Sequence, residues 1–337
     1  MLLRTLAIAT LLSLSAATGV AWLALSPTPA VQAGPLMVEI PAHEGVLGIA
    51  TRLADADVVQ SRFAFLAFTV GRGRIRALKA GEYEIPRDAS TLDVVNLLAS
   101  GRVRQHVILQ PEGATINELA RALETERLAR AEDVVRVAHD EAFLKTLDVP
   151  GPSLEGYLFA DTYQFVRGMS PQEILTRMVQ RTRAKLTPDM LARAKARDLD
   201  VHQLLTLASI IEREAVDPEE QRLISAVFWN RLKADMPLQA DPTVQYAMAK
   251  ERRTLSKTDL ATDHPYNTYA RHGLPPGPIA SPGLGAIAAA LDPAPVKYLY
   301  FVARDDRRHY FSTTVAEHNA AVARYRQSRS NTSRAMP

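Results

Sequence analysis

Cysteine is absent from all 337 residues, which removes disulfides, thiol catalysis and cysteine-based zinc sites and is compatible with an oxidising compartment. An excess of either charge is also lacking. Lys plus Arg number 40 against 37 Asp plus Glu, a net charge of +3, too small to imply a polyanionic partner without a basic patch, so nucleic acid is not expected. Hydrophobic residues make up 47%, charged residues 23% and aromatics 6%. That is the composition of an ordinary globular protein, and it excludes a wholly disordered, collagen-like or coiled-coil chain. The length suffices for two or three domains, each with its own core.

Residues Thr5 to Leu25 carry no charge, a run long enough to span a bilayer. Arg4 precedes it, the next charged residue is Glu39, and Trp22 sits at its far end. The positive-inside rule then places the N-terminus in the cytoplasm and the rest outside. Val31-Gln32-Ala33 resembles a signal-peptidase site, but signal-peptide apolar regions run only about 7 to 15 residues, which favours a retained transmembrane anchor. Residues 26–36 contain three prolines and no charge and read as an extended linker.

The expected organisation is an anchor over 1–25, a linker over 26–36, a small module over 37–104, a second small module or connector over 105–150, a larger domain over 151–327 and a polar tail over 328–337. In the first module Val38 to Ile40 alternates like a strand, and Gly45 to Leu53 and Ser61 to Val70 have helical spacing. Gly81 to Pro86 reads as a second strand, giving the order strand, helix, helix, strand. Ser90 and Thr91 cap a helix that Gly101 closes. Glu112-Gly113 with Leu119, Ala120 and Leu123 weakly echoes Glu44-Gly45 with Ile49, Ala50 and Leu53, either by coincidence or as a second module. Pro150-Gly151-Pro152 is the strongest boundary signal.

Beyond it, the basic helical pattern of 170–197 is interspersed with acids, as on a solvated face. His202 to Ala215 is different, a nearly continuous apolar helix ending in two carboxylates. Residues two apart lie about 200° apart around a helix, so Glu212 and Glu214 cannot share a face. Glu214 continues the stripe of Leu207, Ile210 and Ile211, whereas Glu212 follows Leu205, Ala208 and Ser209. A carboxyl group ending an apolar stripe is desolvated and its pKa rises, as a general acid near neutral pH requires; the alternative is a surface Glu that solubilises the helix end. Downstream loops rich in amides, hydroxyls and rings suit a sugar-binding cleft, although proline and glycine there also simply shape turns.

Six segments together carry a resemblance. They are Glu155-Gly156-Tyr157-Leu158-Phe159-Ala160-Asp161-Thr162-Tyr163, Ala208-Ser209-Ile210-Ile211-Glu212-Arg213-Glu214, Phe228-Trp229-Asn230-Arg231-Leu232, Leu238-Gln239-Ala240-Asp241-Pro242-Thr243, Tyr266-Asn267-Thr268-Tyr269 and Gly273-Leu274-Pro275-Pro276-Gly277-Pro278-Ile279. In this order they resemble the endolytic murein transglycosylase family, the MltG or YceG-like proteins. Ala160 and Ala240 depart from that family's usual proline and Ser or Thr. The resemblance implies an α+β protein with an N-terminal transmembrane helix, a LysM-like module over 37–104 and a larger catalytic domain. It implies a single-pass bacterial inner-membrane protein whose external, periplasmic part cuts peptidoglycan glycan strands internally without a cofactor or metal. Wall synthases of the penicillin-binding class are the implied partners. Glu214 occupies the position of the catalytic acid. Glu155, Tyr157, Asn230, Gln239, Asp241, Thr243, Tyr266, Asn267 and Tyr269 are the candidate substrate contacts.

Such an enzyme needs one carboxyl group, because the sugar's own 6-hydroxyl serves as nucleophile. Asp241 is the residue in question: opposite Glu214 it would permit hydrolysis, whereas as the cap of a helix starting near Pro242 it would be structural, and the cap is the expectation. A non-catalytic wall-binding scaffold remains the alternative function. A metal enzyme built on His264, His272, His309 and His318 lacks the helical His spacing of a zinc site.

Overall fold

The computed structural model describes residues 34–41, 43–249, 253–304 and 308–335, together with Thr18, Gly19, Trp22, Leu25 and Ser26. The rest of the expected anchor and most of the linker lie outside the described residues. Among the described residues no helix is long and apolar enough to cross a membrane. The fold is α+β, with helices and, among the described residues, three separate two-stranded sheets. The chain divides into two compact units, Met1–Val107 with Gln164–Met169, and Ile108–Tyr163 with Ser170–Pro337.

In the first unit β1 (Leu36–Ile40) leads through α1 (Val46–Asp55), α2 (Arg62–Gly71) and a 3-10 turn at Ile75–Ala77 to β2 (Gly81–Ile85). β2 returns antiparallel to β1 with Val38 opposite Tyr83. The alternation of β1 buries Val38 and Ile40, which pack with Ile49, Leu53, Phe65, Tyr83 and Ile85. α3 (Thr91–Ser100) closes this core with Val94, Val95 and Leu98. Of the two caps anticipated from sequence, Ser90 is the N-cap, in a reciprocal capping box with Asp93, while Thr91 is the first helical residue; Gly101 adopts the left-handed conformation, φ 68°, that stops the helix.

β3 (Gln105–Gln110) pairs with β4 (Asp161–Val166). Between them lie α4 (Ile116–Thr125), α5 (Ala131–Ala138) and α6 (Glu141–Thr146), and after them α7 (Pro171–Lys185) and α8 (Pro188–Lys195). Pro150-Gly151-Pro152 therefore falls inside the second unit, and residues 108–150 belong to it, where sequence had placed a boundary at those prolines and a separate element before them.

α9 (Val201–Glu214) is the central helix of the second unit, started by a capping box of Asp200 and Gln203. Leu204 through Ile211 are all buried. A helix apolar on every side must be covered on every side, and α9 packs against α10 (Gln221–Lys233), α11 (Asp241–Ala247) and, beyond the short α12 (Lys257–Leu260), α13 (Leu284–Leu291). The alanine-rich surface of α13 permits close approach. The hairpin of β5 (Tyr300–Ala303) and β6 (His309–Ser312) precedes α14 (Val315–Ala335), so the backbone of the expected polar tail continues this helix to Ala335.

Candidate active site

Three side chains of α9 organise the proline-rich loop that follows residue 273. His202 Nε2 lies 2.8 Å from the Pro276 carbonyl, Ser209 Oγ accepts the Ile279 N–H at 3.0 Å, and Glu212 Oε2 accepts the Gly283 N–H at 3.1 Å. Gly283 is the N-cap of α13, so Glu212 satisfies an otherwise orphaned helix-start donor. Burial raises the Glu212 pKa, the Gly283 N–H opposes this, and nearby Glu112 adds to the rise.

Glu214, the last residue of α9, meets the start of α11. It keeps part of its surface exposed, yet desolvation of its carboxyl group dominates. Burial, followed by the negative charge of Asp241, pushes the pKa up to about 8, while the Asp241 backbone N–H and the Arg231 charge pull in the other direction. Glu214 is thus protonated at neutral pH, with the groups that would stabilise its conjugate base already in place.

Asp241 does not cap α11. Ala240 is the N-cap residue and no side chain caps it. Asp241 is the first helical residue, is exposed, and its Oδ1 accepts a 2.5 Å hydrogen bond from the Tyr269 hydroxyl. The cap expectation fails because the helix begins one residue earlier than Pro242, which turns the Asp241 side chain to Tyr269. Burial, then the bond to Asp241, drives the Tyr269 pKa far upward, so this hydroxyl remains a donor.

Arg231 is the residue sequence reasoning passed over in favour of Asn230. It is buried, its Nη1 donates to the carbonyls of Pro237 (3.1 Å) and Leu238 (2.9 Å) and to Gln239 Oε1 (3.1 Å), and its Nε donates to Leu299 O (2.7 Å). Its guanidinium lies over the Tyr300 ring at 5.3 Å, and His318 stacks on the same tyrosine at 5.3 Å. Burial lowers the Arg231 pKa. The signal was available: Ile224, Val227, Phe228 and Arg231 follow helical spacing on α10, the argument that had singled out Glu214. Gln239 itself is exposed and left-handed, φ 50°, held by its N–H to Thr268 O at 3.0 Å. With Oε1 occupied by Arg231, its amide presents N–H donors outward.

The remaining candidates have their polar groups engaged by the protein. The Glu155 carboxylate is buried and accepts the Ile116 N–H, with both oxygens at 3.2 Å, at the start of α4. Tyr157 is buried with its hydroxyl 3.0 Å from His202 Nδ1. The Asn230 amide donates to Val296 O and Tyr298 O, both at 2.9 Å. Thr243 is buried and bonds Ala240 O and the Thr268 hydroxyl. The Asn267 amide donates to Leu260 O and Thr262 O and its oxygen accepts the Tyr269 N–H. Tyr266 is mostly buried against Tyr246, and burial pushes its pKa up to about 12. Asp241 and Tyr269 gather with Glu214, and Gln239 is tied to them through Arg231. Among the described residues no His, Asp and Glu group could hold a metal ion; His309 Nδ1 is instead 2.7 Å from Glu220.

A cavity of about 620 Å³ lined by Lys145, Tyr157, Arg183 and His202 lies at the other end of α9. From 202 to 214 the helix rises about 18 Å, so this cavity is not where the acid acts.

A sequence model of the YceG-like family matches residues 38–324. The endolytic murein transglycosylase of Bacillus subtilis (strain 168) is 35% identical over 304 residues, covering 86% of this chain and 84% of that one. The protein of the same name from Streptococcus pneumoniae serotype 2 is 30% identical over 326 residues, 87% of this chain, which spans only 59% of that longer relative. The crystal structure of a yceG-like protein from Listeria monocytogenes is similar with a TM-score of 0.60 and 34% identity, over 85% of this chain and 98% of that one.

Proposed function

The chain belongs to the YceG-like family, and from that premise we propose that it is an endolytic lytic transglycosylase, cutting the β-1,4 bond between MurNAc and GlcNAc within peptidoglycan strands and leaving 1,6-anhydro-MurNAc ends. The observation that carries the reading is Glu214, a carboxylic acid held protonated by burial at the start of a second helix, in a chain whose relatives are named for this activity.

In the proposed reaction Glu214 gives its proton to the glycosidic oxygen as the bond to the anomeric carbon breaks. Negative charge then develops on its carboxylate, where the Asp241 N–H and the Arg231 charge are already placed. The exposed carboxylate of Asp241, fixed by Tyr269, suits electrostatic stabilisation of the oxocarbenium-like sugar. Glu214 next takes the proton of the muramyl 6-hydroxyl as that oxygen closes on the anomeric carbon, so no water is consumed. Gln239 donates to acceptor groups of the sugar chain.

Digestion of purified glycan strands in heavy-oxygen water, followed by mass analysis of the muropeptides, tests this. Anhydro ends without solvent oxygen are expected, and fragments should come from strand interiors. Reducing ends carrying the heavy isotope would make the protein a hydrolase and Asp241 its water-activating partner.

The same reading extends to cellular context. The uncharged run Thr5 to Leu25 behind Arg4 supports a single-pass inner-membrane anchor with the catalytic unit in the periplasm. The strand, helix, helix, strand order with β1 antiparallel to β2 supports a LysM-like, glycan-holding module over 37–104. Cutting near the membrane suits release of strands during wall synthesis, with penicillin-binding synthases as partners. Mass spectrometry of protein recovered from membranes should find Leu6 to Trp22 retained; a mature N-terminus at Gly34 would mean cleavage.

A further inference from the structure

A face of the first unit that neither its core nor the proposed catalysis accounts for is the outer side of α2 and the turn that follows it. α2 buries Ala64, Phe65 and Thr69. Its opposite stripe, Phe63, Ala67 and Val70, follows the i, i+4, i+7 spacing of a single helix face and is exposed, Phe63 by 68% and Val70 by 56%. Ile75, in the next turn, is 44% exposed. In the chain these apolar groups are interleaved with Arg62, Arg72, Arg74, Arg76 and Lys79, and no acidic residue occurs from Ser61 to Ala80. The four arginines and Lys79 are all exposed, and none has an acidic partner among the described residues. The Arg62 guanidinium rests over the Phe63 ring at 4.9 Å, keeping cation and ring on the same surface.

We propose that this face of α2 and the Arg72–Lys79 turn docks on the surface of an anionic phospholipid bilayer, with Phe63, Val70 and Ile75 entering the headgroup boundary and the arginines pairing with lipid phosphates. Exposed apolar side chains interleaved with exposed cations are the composition of an interfacial membrane-binding element. A soluble polyanion or the carboxylates of the wall would use the arginines but leave the apolar stripe in water, so the lipid surface is the better complement. Proximity strengthens the case and rests on the anchor reading: from Leu25 to Leu36 the chain spans at most about 40 Å, which keeps the face at high local concentration beside the membrane. Docked this way, the module would be held at the bilayer instead of swinging freely on its linker.

The absence of native cysteine makes the test direct. Full-length protein carrying Ala67→Cys as its single thiol, labelled with an environment-sensitive fluorophore, is reconstituted into phosphatidylcholine vesicles with or without phosphatidylglycerol. A blue-shifted emission, quenched by doxyl-labelled lipid, is expected only in the anionic vesicles. Arg72→Glu, Arg74→Glu and Arg76→Glu together should abolish it, and a Phe63→Ser, Val70→Ser pair should weaken it roughly tenfold or more in lipid titrations. Folding of each variant is checked by circular dichroism, and the readout needs no catalytic activity. Equal emission in neutral and anionic vesicles, or a shift unchanged in the triple variant, would overturn the proposal. So would a shift produced by soluble polyphosphate or isolated sacculi without lipid quenching, which would assign the face to a polyanion.

Discussion

Glu212 and Glu214 end the same helix two residues apart, and their surroundings are alike in three respects. Each accepts a backbone N–H from the start of another helix, each is partly buried, and each has its pKa raised first by desolvation. They differ in company. Glu212 meets the Gly283 N–H and Glu112 beside the joint where the Gly113 N–H donates to Ser281 O, the Ser281 N–H donates to Ala114 O and Arg213 holds Gly113 O at 3.0 Å. Glu214 meets Asp241, Arg231 and, through Asp241, Tyr269. A raised pKa therefore does not by itself identify a catalytic acid. One carboxyl group locks three segments together, and the other faces charged and hydrogen-bonding groups that respond when its proton leaves.

The comparison breaks most sharply at the acid. Glu214→Gln preserves shape but cannot give a proton, and strand cleavage measured by muropeptide release should fall roughly a hundred- to ten-thousand-fold with little change in melting temperature. Equal loss in Glu212→Gln would erase the distinction.

Next in size is Arg231→Met. It strands the carbonyls of Pro237, Leu238 and Leu299 and unfixes Gln239. Cleavage should drop at least about tenfold and stability by about 3 kcal/mol, read by denaturant titration. Gln239→Ala should lower activity without that stability loss, separating the clamp from the group it positions.

The pH dependence sharpens the contrast further. Glu214 must be protonated to act, so the rate should decline as pH rises through about 8. Its folded pKa lies above the ordinary 4.5, so between 4.5 and about 8 the native state holds a proton that the unfolded chain releases. Stability from this group is accordingly greatest at low pH and is lost as pH rises across that window. Glu214→Gln should flatten this slope in pH-dependent melting curves.

The smallest effects belong to the structural residues. Glu212→Gln should change cleavage by less than about tenfold while lowering stability by about 1 kcal/mol, because one helix-start donor is less well satisfied. Asn230→Ala should lower the melting temperature and leave KM unchanged, since its amide serves Val296 and Tyr298. A raised KM would return Asn230 to the substrate contacts.

What the sequence by itself determined is the local and periodic part of this protein. The capping boxes at Ser90 and Asp200, the Gly101 stop, the alternation of β1 and the face of α9 on which Glu214 lies all follow from residues within two turns of each other. The six segments also sufficed to indicate the family. Only the tertiary structure decided how the polar residues are used. Asn230 and Tyr298, Thr243 and Thr268, and Asp241 and Tyr269 are separated by 68, 25 and 28 positions, so a list of amides and hydroxyls looked like a binding cleft when much of it holds loops in place. Asp241 illustrates the limit most clearly. Its side chain was expected to close its own helix, but in the fold Glu214 receives the helix-start N–H and Asp241 turns to Tyr269. Periodicity assigns a side chain to a face; which partner waits there depends on how distant segments pack, because a hydrogen bond forms with whichever group the fold brings within about 3 Å.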